Sequence, residues 1–322
     1  MRFPNCFSVI CIKIFIALTA VTAIAMAQPY AYISNMMGNT VTVVNRANNT
    51  ILSNIAISGG GLAGVALSPD GSSLWVAESS KNSVAVINTS TKAVSNTIGV
   101  GTGPVQIAIT PNGATAYVAN QYSNNVTAIS TATKAVLKTI AVGKSPVGIT
   151  ASRDGSKIFV SNLSSDTISV ISTSSNTVSA TWNTNDGPNG ITTSPDGTLL
   201  YVANQYKNSV TIHYLSTGAI KKEVTSIMSP ISVAITPNGA TLYVTNSNSS
   251  SVSVMNTSSY AVTPKVTTGT LPTCVAVSSD SGTVYVTNAY SYTLSEIQTS
   301  NNTIKYTVPQ VGIYPFSIAL SH

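Results

Sequence analysis

Tyr243-Val244-Thr245-Asn246 returns unchanged as Tyr285-Val286-Thr287-Asn288, 42 residues later. Toward the N-terminus the same short pattern recurs as Tyr201-Val202-Ala203-Asn204, Phe159-Val160-Ser161-Asn162, Tyr117-Val118-Ala119-Asn120, Trp75-Val76-Ala77-Glu78 and Tyr32-Ile33-Ser34-Asn35. The seven copies are separated by 43 residues once and by 42 residues five times. A period in the forties, carried by β-branched and aromatic residues, predicts an all-β ring of small antiparallel sheets, a seven-bladed propeller.

Each repeat divides into four strands by alternation and by its turn residues. An innermost strand such as Pro104-Val105-Gln106-Ile107-Ala108-Ile109-Thr110 leads into a hairpin turn, Pro111-Asn112-Gly113 here and Pro69-Asp70-Gly71 or Pro195-Asp196-Gly197 elsewhere. Asn and Gly tolerate positive φ there at little cost, and Pro sets the approach. The Tyr-Val-Thr-Asn strand is second, an alternating run such as Asn82 to Asn88 is third, and a segment such as Ala135 to Val142 is outermost. In the second strand the aromatic and the following Val point to opposite faces, so each blade offers a large residue to one neighbour and a branched one to the other. Lys138, Lys221, Lys222, Lys265 and Lys305 fall in or beside the outer strands, where charge protects a free sheet edge.

Ring closure is legible as well. The first copy opens at a second strand and lacks an innermost one, whereas Pro315-Phe316-Ser317-Ile318-Ala319-Leu320-Ser321 matches the innermost-strand pattern of Pro230 to Thr236. The C-terminal strand is therefore expected to complete the N-terminal blade.

Arg2 and Lys13, the apolar run Ile14 to Ile24 and the Ala25-Met26-Ala27 site read as a cleaved export signal over residues 1–27. The alternative, a membrane anchor, needs roughly 20 apolar residues, and Ile14 to Ala27 offers 14. The expected domain organisation is this signal followed by one propeller over 28–322, in a periplasmic or extracellular location. Loss of the signal lowers the formal charge from +6 to +4, with scattered rather than clustered basic residues. Charged residues make up only 7% of the chain, so Ser, Thr and Asn are left to carry the surface. Cys274 is the one cysteine beyond the signal, read as a buried core thiol with no disulfide partner.

Together, the Tyr-Val-Thr-Asn strand, the preceding Pro-Asn-Gly or Pro-Asp-Gly turn and the following Asn-Ser-Val-x-Val-Ile strand resemble the YVTN-repeat β-propellers over essentially the whole chain after the signal. That resemblance implies seven blades and an exported or surface location. It also implies binding to protein, carbohydrate or, in one periplasmic group, single-stranded DNA. Departures from the pattern are Glu78 in place of the repeat Asn and Ser279-Asp280-Ser281-Gly282, where the turn glycine is displaced by one.

Residues suited to catalysis are few. His213 and His322 are the only histidines and cannot build a metal site of three or four ligands unless carboxylates supply the rest. Asp70, Asp154, Asp196 and Asp280 occupy equivalent turn positions and read as turn residues. Gly59-Gly60-Gly61 precedes a strand, not a helix, so it is no phosphate loop. No cofactor or metal is expected. Propeller lyases of the streptogramin-inactivating type use a histidine and acid constellation that His213 alone does not reproduce. The expectation is therefore a non-catalytic binding module, not an enzyme, whose partner is a protein or glycan of the cell envelope. Single-stranded nucleic-acid binding and lyase chemistry are the alternatives.

The candidate contact surface is one rim. Tyr122, Tyr206 and Tyr290 recur every 84 residues in the loops between second and third strands, beside Met36, Met37, Lys81 and Lys207, and the inter-blade loops add Lys144, Met228 and Tyr314. Exposed tyrosine and methionine suit a binding surface. Glu78, Asp166 and Asp186 offset the lysines, which does not favour a polyanion.

Overall fold

The computed structural model describes residues 29–321; the expected export signal and His322 lie outside the described residues. Seven four-stranded antiparallel sheets are formed, each with its strands in sequence order except the first. Blade 1 comprises residues 30–56 with the C-terminal strand Pro315–Leu320, blade 2 spans 62–99, blade 3 spans 104–141 and blade 4 spans 146–183. Blades 5, 6 and 7 span 188–225, 230–267 and 272–308. Pro315–Leu320 pairs antiparallel with Tyr30–Asn35, so the expected closure is present and joins the two ends of the ring.

The expected division of faces also holds. Tyr32, Trp75, Tyr117, Phe159, Tyr201, Tyr243 and Tyr285 are all buried, and each packs into the junction with the following blade. Between blades 3 and 4, for example, Tyr117 meets Ile158 and Val160. Burying each such side chain stabilises by about 1.5–3 kcal/mol, so stability accumulates junction by junction.

Side-chain bonds lock the turns. In the hairpin of blade 4, Asp154 accepts bonds from the Ser152 hydroxyl at 2.6 Å and the Ser156 amide at 3.0 Å, and Gly155 takes φ +71°. In blade 7 the displaced glycine leaves Ser281 to take the positive φ, at +61°. A threonine ending the third strand clamps the same turn: Thr89 donates to the Gly71 carbonyl at 2.7 Å and Thr173 to that of Gly155 at 2.7 Å. On the opposite side, the repeat asparagine ties second strand to third, as when Asn120 donates to Asn125 at 2.8 Å and Thr127 at 2.9 Å. Glu78 replaces that donor with an acceptor and receives the Ser83 hydroxyl at 2.7 Å instead.

Candidate functional site

Of the tyrosines of the expected rim, Tyr122, Tyr206 and Tyr290 are exposed but spread over blades 3, 5 and 7, and Tyr314, between blades 7 and 1, is half-buried. Tyr122 and Tyr206 each cover the loop entering their own blade. A Cβ at Gly103 would lie 2.4 Å from the Tyr122 ring, and one at Gly187 would lie 2.5 Å from that of Tyr206. Tyr290 meets Tyr314 edge to face at 5.6 Å. Met37, Lys81, Lys144 and Lys207 are exposed, whereas Met36 packs against the core between blades 2 and 3. Lys81 reaches the Ser58 hydroxyl at 3.3 Å.

The innermost strands surround a narrow axial channel. Gln106, Gly148, Gly190, Ser232, Cys274 and Ser317 form its waist, between cavities of about 140 and 200 Å³. The Gln106 carboxamide lies over Gly64, where any Cβ would meet it. Cys274 is half-buried here, not sealed in the core as expected, because an innermost strand has no sheet partner on its channel side. Ser232 and Ser317 hydroxyls lie 3.8 and 4.0 Å from its sulfur. Among the described residues, this lining contains no carboxylate, imidazole, ammonium or guanidinium.

Ionisable groups gather instead on the hairpin-turn face, where a cleft of about 740 Å³ opens between blades 4 and 5. Arg153, Asp154, Lys157 and Asp196 stand around it, and Tyr214 and Leu215 supply apolar surface in front of the fully buried Phe159. The corresponding cleft between blades 2 and 3 measures about 280 Å³ and has a polar lining that includes Lys134.

The difference follows from the sequence of this one junction. At three other junctions the buried aromatic of one blade meets the turn residue of the next, 59 positions on. Tyr117 donates to Asn176 at 2.5 Å, Tyr243 donates to Asn302 at 2.7 Å, and Lys134 lies 5.0 Å over the Trp75 ring. At blades 4 and 5 the same pair is Phe159 and Gly218, and neither has a polar side-chain atom to offer. Leu215 stands where Thr89, Thr131, Thr173, Thr257 and Thr299 clamp their turns, so the Gly197 carbonyl receives no such hydroxyl. Tyr214 replaces the Asn, Ser or Gln of the other blades, Trp182 an Ile or Val, and His213 an aliphatic residue. Six departures from the repeat thus fall at one junction. The repeat pattern by itself does not reveal them; comparing the blades position by position does.

His213 supports the cleft from behind. Its Nδ1 lies 3.0 Å from the Gly218 carbonyl and therefore carries the donated proton, leaving Nε2 to accept from Thr184 or Thr211, each at 3.2 Å. Trp182 stacks on it at 6.5 Å and meets the Phe159 ring at a tilt at 5.5 Å, filling the space above Gly218 where a Cβ would fall 2.4 Å from the indole. Burial lowers the pKa of the imidazole, opposed by the bond to Gly218, so it is held neutral. The acids differ. Bonds from Ser152 and then Ser156 bring Asp154 down to about 2, and bonds from Ser194 and Thr198 hold Asp196 below the usual range. Both are ionised at neutral pH. Arg153 donates to the Pro195 carbonyl and so spans the mouth of the cleft from one blade to the next.

The model of a family described as a lactonase, seven-bladed β-propeller, matches residues 22–140, 130–235 and 172–259. Among solved structures, a hydrazine synthase of Kuenenia stuttgartiensis is 22% identical, with a TM-score of 0.77 over 84% of this chain and 92% of that one. A functionally unknown Desulfotomaculum acetoxidans protein is 19% identical, with a TM-score of 0.81 over 91% of this chain and 99% of its own. A putative 6-phosphogluconolactonase of Bacteroides fragilis is 14% identical, with a TM-score of 0.77 over 92% and 98%. At these identities the structures bear on the fold alone. No curated protein matches the chain.

The family match corrects the functional expectation. Neither a non-catalytic binding module nor the reading of the chain as no enzyme stands against a match to lactonases. That expectation weighed residues that recur, and recurring residues build the ring; whatever chemistry the ring carries belongs to positions where the repeat is broken.

Proposed function

The chain belongs to the lactonase family of seven-bladed β-propellers, and on that premise we propose that it hydrolyses a cyclic ester in the cleft between blades 4 and 5. The observation that carries this reading is the gathering of six departures from the repeat around a cleft that also holds Arg153, Lys157, Asp154 and Asp196. Repeat positions that break the common pattern are where function is expected, since uniform blades would suffice for stability.

The chemistry asked of such a site is modest. Water adds to the ester carbonyl, the bond from carbonyl carbon to ring oxygen breaks, and a hydroxy acid leaves. Arg153 and Lys157 supply positive charge for the oxyanion that forms on the carbonyl oxygen. Asp196 and the Gly197 carbonyl, both on the lining, are acceptors that orient the attacking water. With its pKa lowered, Asp196 is a weak base, so it positions the water rather than fully deprotonating it. Tyr214 and Leu215 shield the ring of the substrate from bulk solvent.

The test is acid release from a panel of five- and six-membered lactones, followed with a pH indicator. Arg153→Ala and Lys157→Ala are each expected to lower kcat/KM by roughly 10²-fold, the scale of losing one oxyanion partner. No rate above the uncatalysed hydrolysis for any lactone, or full activity in the double variant, would rule the reading out.

A further inference from the structure

Resting on that assignment of the cleft, we infer that the substrate is a lactone bearing an apolar chain, not a polyhydroxylated sugar lactone. Three lining side chains differ from their counterparts in other blades, and all three move in one direction. Phe159 lacks the hydroxyl carried by Tyr32, Tyr117, Tyr201, Tyr243 and Tyr285. Leu215 replaces a threonine hydroxyl with a branched alkyl group, and Tyr214 puts an aromatic ring where the other blades carry Asn, Ser or Gln. Tyr214 is 42% exposed and Leu215 is buried, so the apolar surface runs from the mouth of the cleft inward to Leu215, with the fully buried Phe159 ring packed behind it.

This gradient sets the orientation of the ligand. Arg153 lies exposed at the mouth, where its guanidinium crosses to the Pro195 carbonyl, so the polar ester end belongs there. The inner end offers no hydroxyl from Phe159 or Leu215 to receive a polyol. Sugar hydroxyls placed against these two side chains would give up their water for nothing in return. An alkyl chain loses no hydrogen bonds there, and each methylene it buries strengthens binding about fourfold. Behind Phe159, Trp182 fills the space above Gly218, so the inner wall is solid and limits the length of chain that is accommodated.

The experiment measures kcat/KM for γ-lactones whose side chain lengthens from none to pentyl, with glucono-δ-lactone alongside. Calorimetry with cyclopentanones bearing the same chains reports binding to a ring that cannot be hydrolysed. Both series are expected to rise by about fourfold per methylene until the chain meets the inner wall of the cleft. Leu215→Thr and Phe159→Tyr, each the residue used by other blades, are expected to flatten both series. Turnover with no dependence on chain length, or with glucono-δ-lactone preferred, would overturn the inference and leave lactone hydrolysis standing. Chain-dependent binding of the cyclopentanones without turnover of any lactone would uphold the apolar cleft and overturn the catalytic assignment.

Discussion

Tyr243 of blade 6 donates its hydroxyl to Asn302 of blade 7 across 2.7 Å, although Tyr243 is otherwise sealed in the core. Burial raises the phenol to about 12, so this hydroxyl remains a donor at neutral and moderately alkaline pH. The bond is the same inter-blade contact as Tyr117 to Asn176, and it is the contact that the Phe159 and Gly218 junction gives up.

Tyr243→Phe is therefore expected to cost about 1 kcal/mol of unfolding free energy, and Asn302→Ala a similar amount. In a double-mutant cycle followed by denaturant unfolding, the two should couple by most of that value. Additive losses would mean that the bond contributes nothing and that each residue acts through packing alone.

Acid sensitivity should divide into two limbs. His213 has a folded-state pKa below its ordinary 6.5, so the unfolded chain binds the proton more readily than the native one. Its contribution is complete above 6.5 and declines as pH falls below that value. His213→Ile, the residue of blades 2, 3, 4 and 7 at this position, should remove the fall in melting temperature between pH 7 and pH 5. An unchanged slope would place the titrating group elsewhere.

The second limb lies lower. Asp154 titrates at about 2 in the folded protein against 3.8 ordinarily, and Asp70, Asp196 and Asp280 are lowered in the same way by their turn serines. Their stabilisation is present above 3.8 and is lost as pH falls through the folded-state values. Ser152→Ala, which removes the largest cause at Asp154, should move the midpoint of its carboxyl titration, followed by NMR, to higher pH. A resonance that still titrates near 2 would show that the amide and hydroxyl of Ser156 suffice.

Closure rests on a small set of contacts beyond the strand pairing itself. Arg46 donates to the Ser321 carbonyl at 2.6 Å and lies 5.7 Å over the Tyr285 ring, linking the last strand, blade 1 and blade 7. Arg46→Ala should lower the melting temperature by a few degrees. Deletion of residues 315–322 should abolish cooperative unfolding, since it strips Tyr30–Asn35 of its inner partner and exposes a sheet edge. A truncated protein melting cooperatively at the parent temperature would refute ring closure as a condition of stability.

Much of this molecule was legible without coordinates. The 42-residue period, the strand alternation and the Pro-Asp-Gly turns determine seven blades and their strand order, because each acts through near neighbours in the chain. The match of Pro315 to Ser321 with the other innermost strands determined the closure by pattern alone, although the strands it joins lie at opposite ends of the chain. The cleft was not legible in this manner. Phe159, Trp182, His213, Tyr214, Leu215 and Gly218 span two blades, and each by itself reads as an ordinary core or turn residue. Only the stacking of blade 4 on blade 5 brings Trp182 onto both Phe159 and His213 and sets Leu215 at the floor of the cleft between the charged turns. A repeat specifies its own sheet through local pattern, whereas a site between sheets depends on side chains meeting across a junction, which is decided by packing in three dimensions.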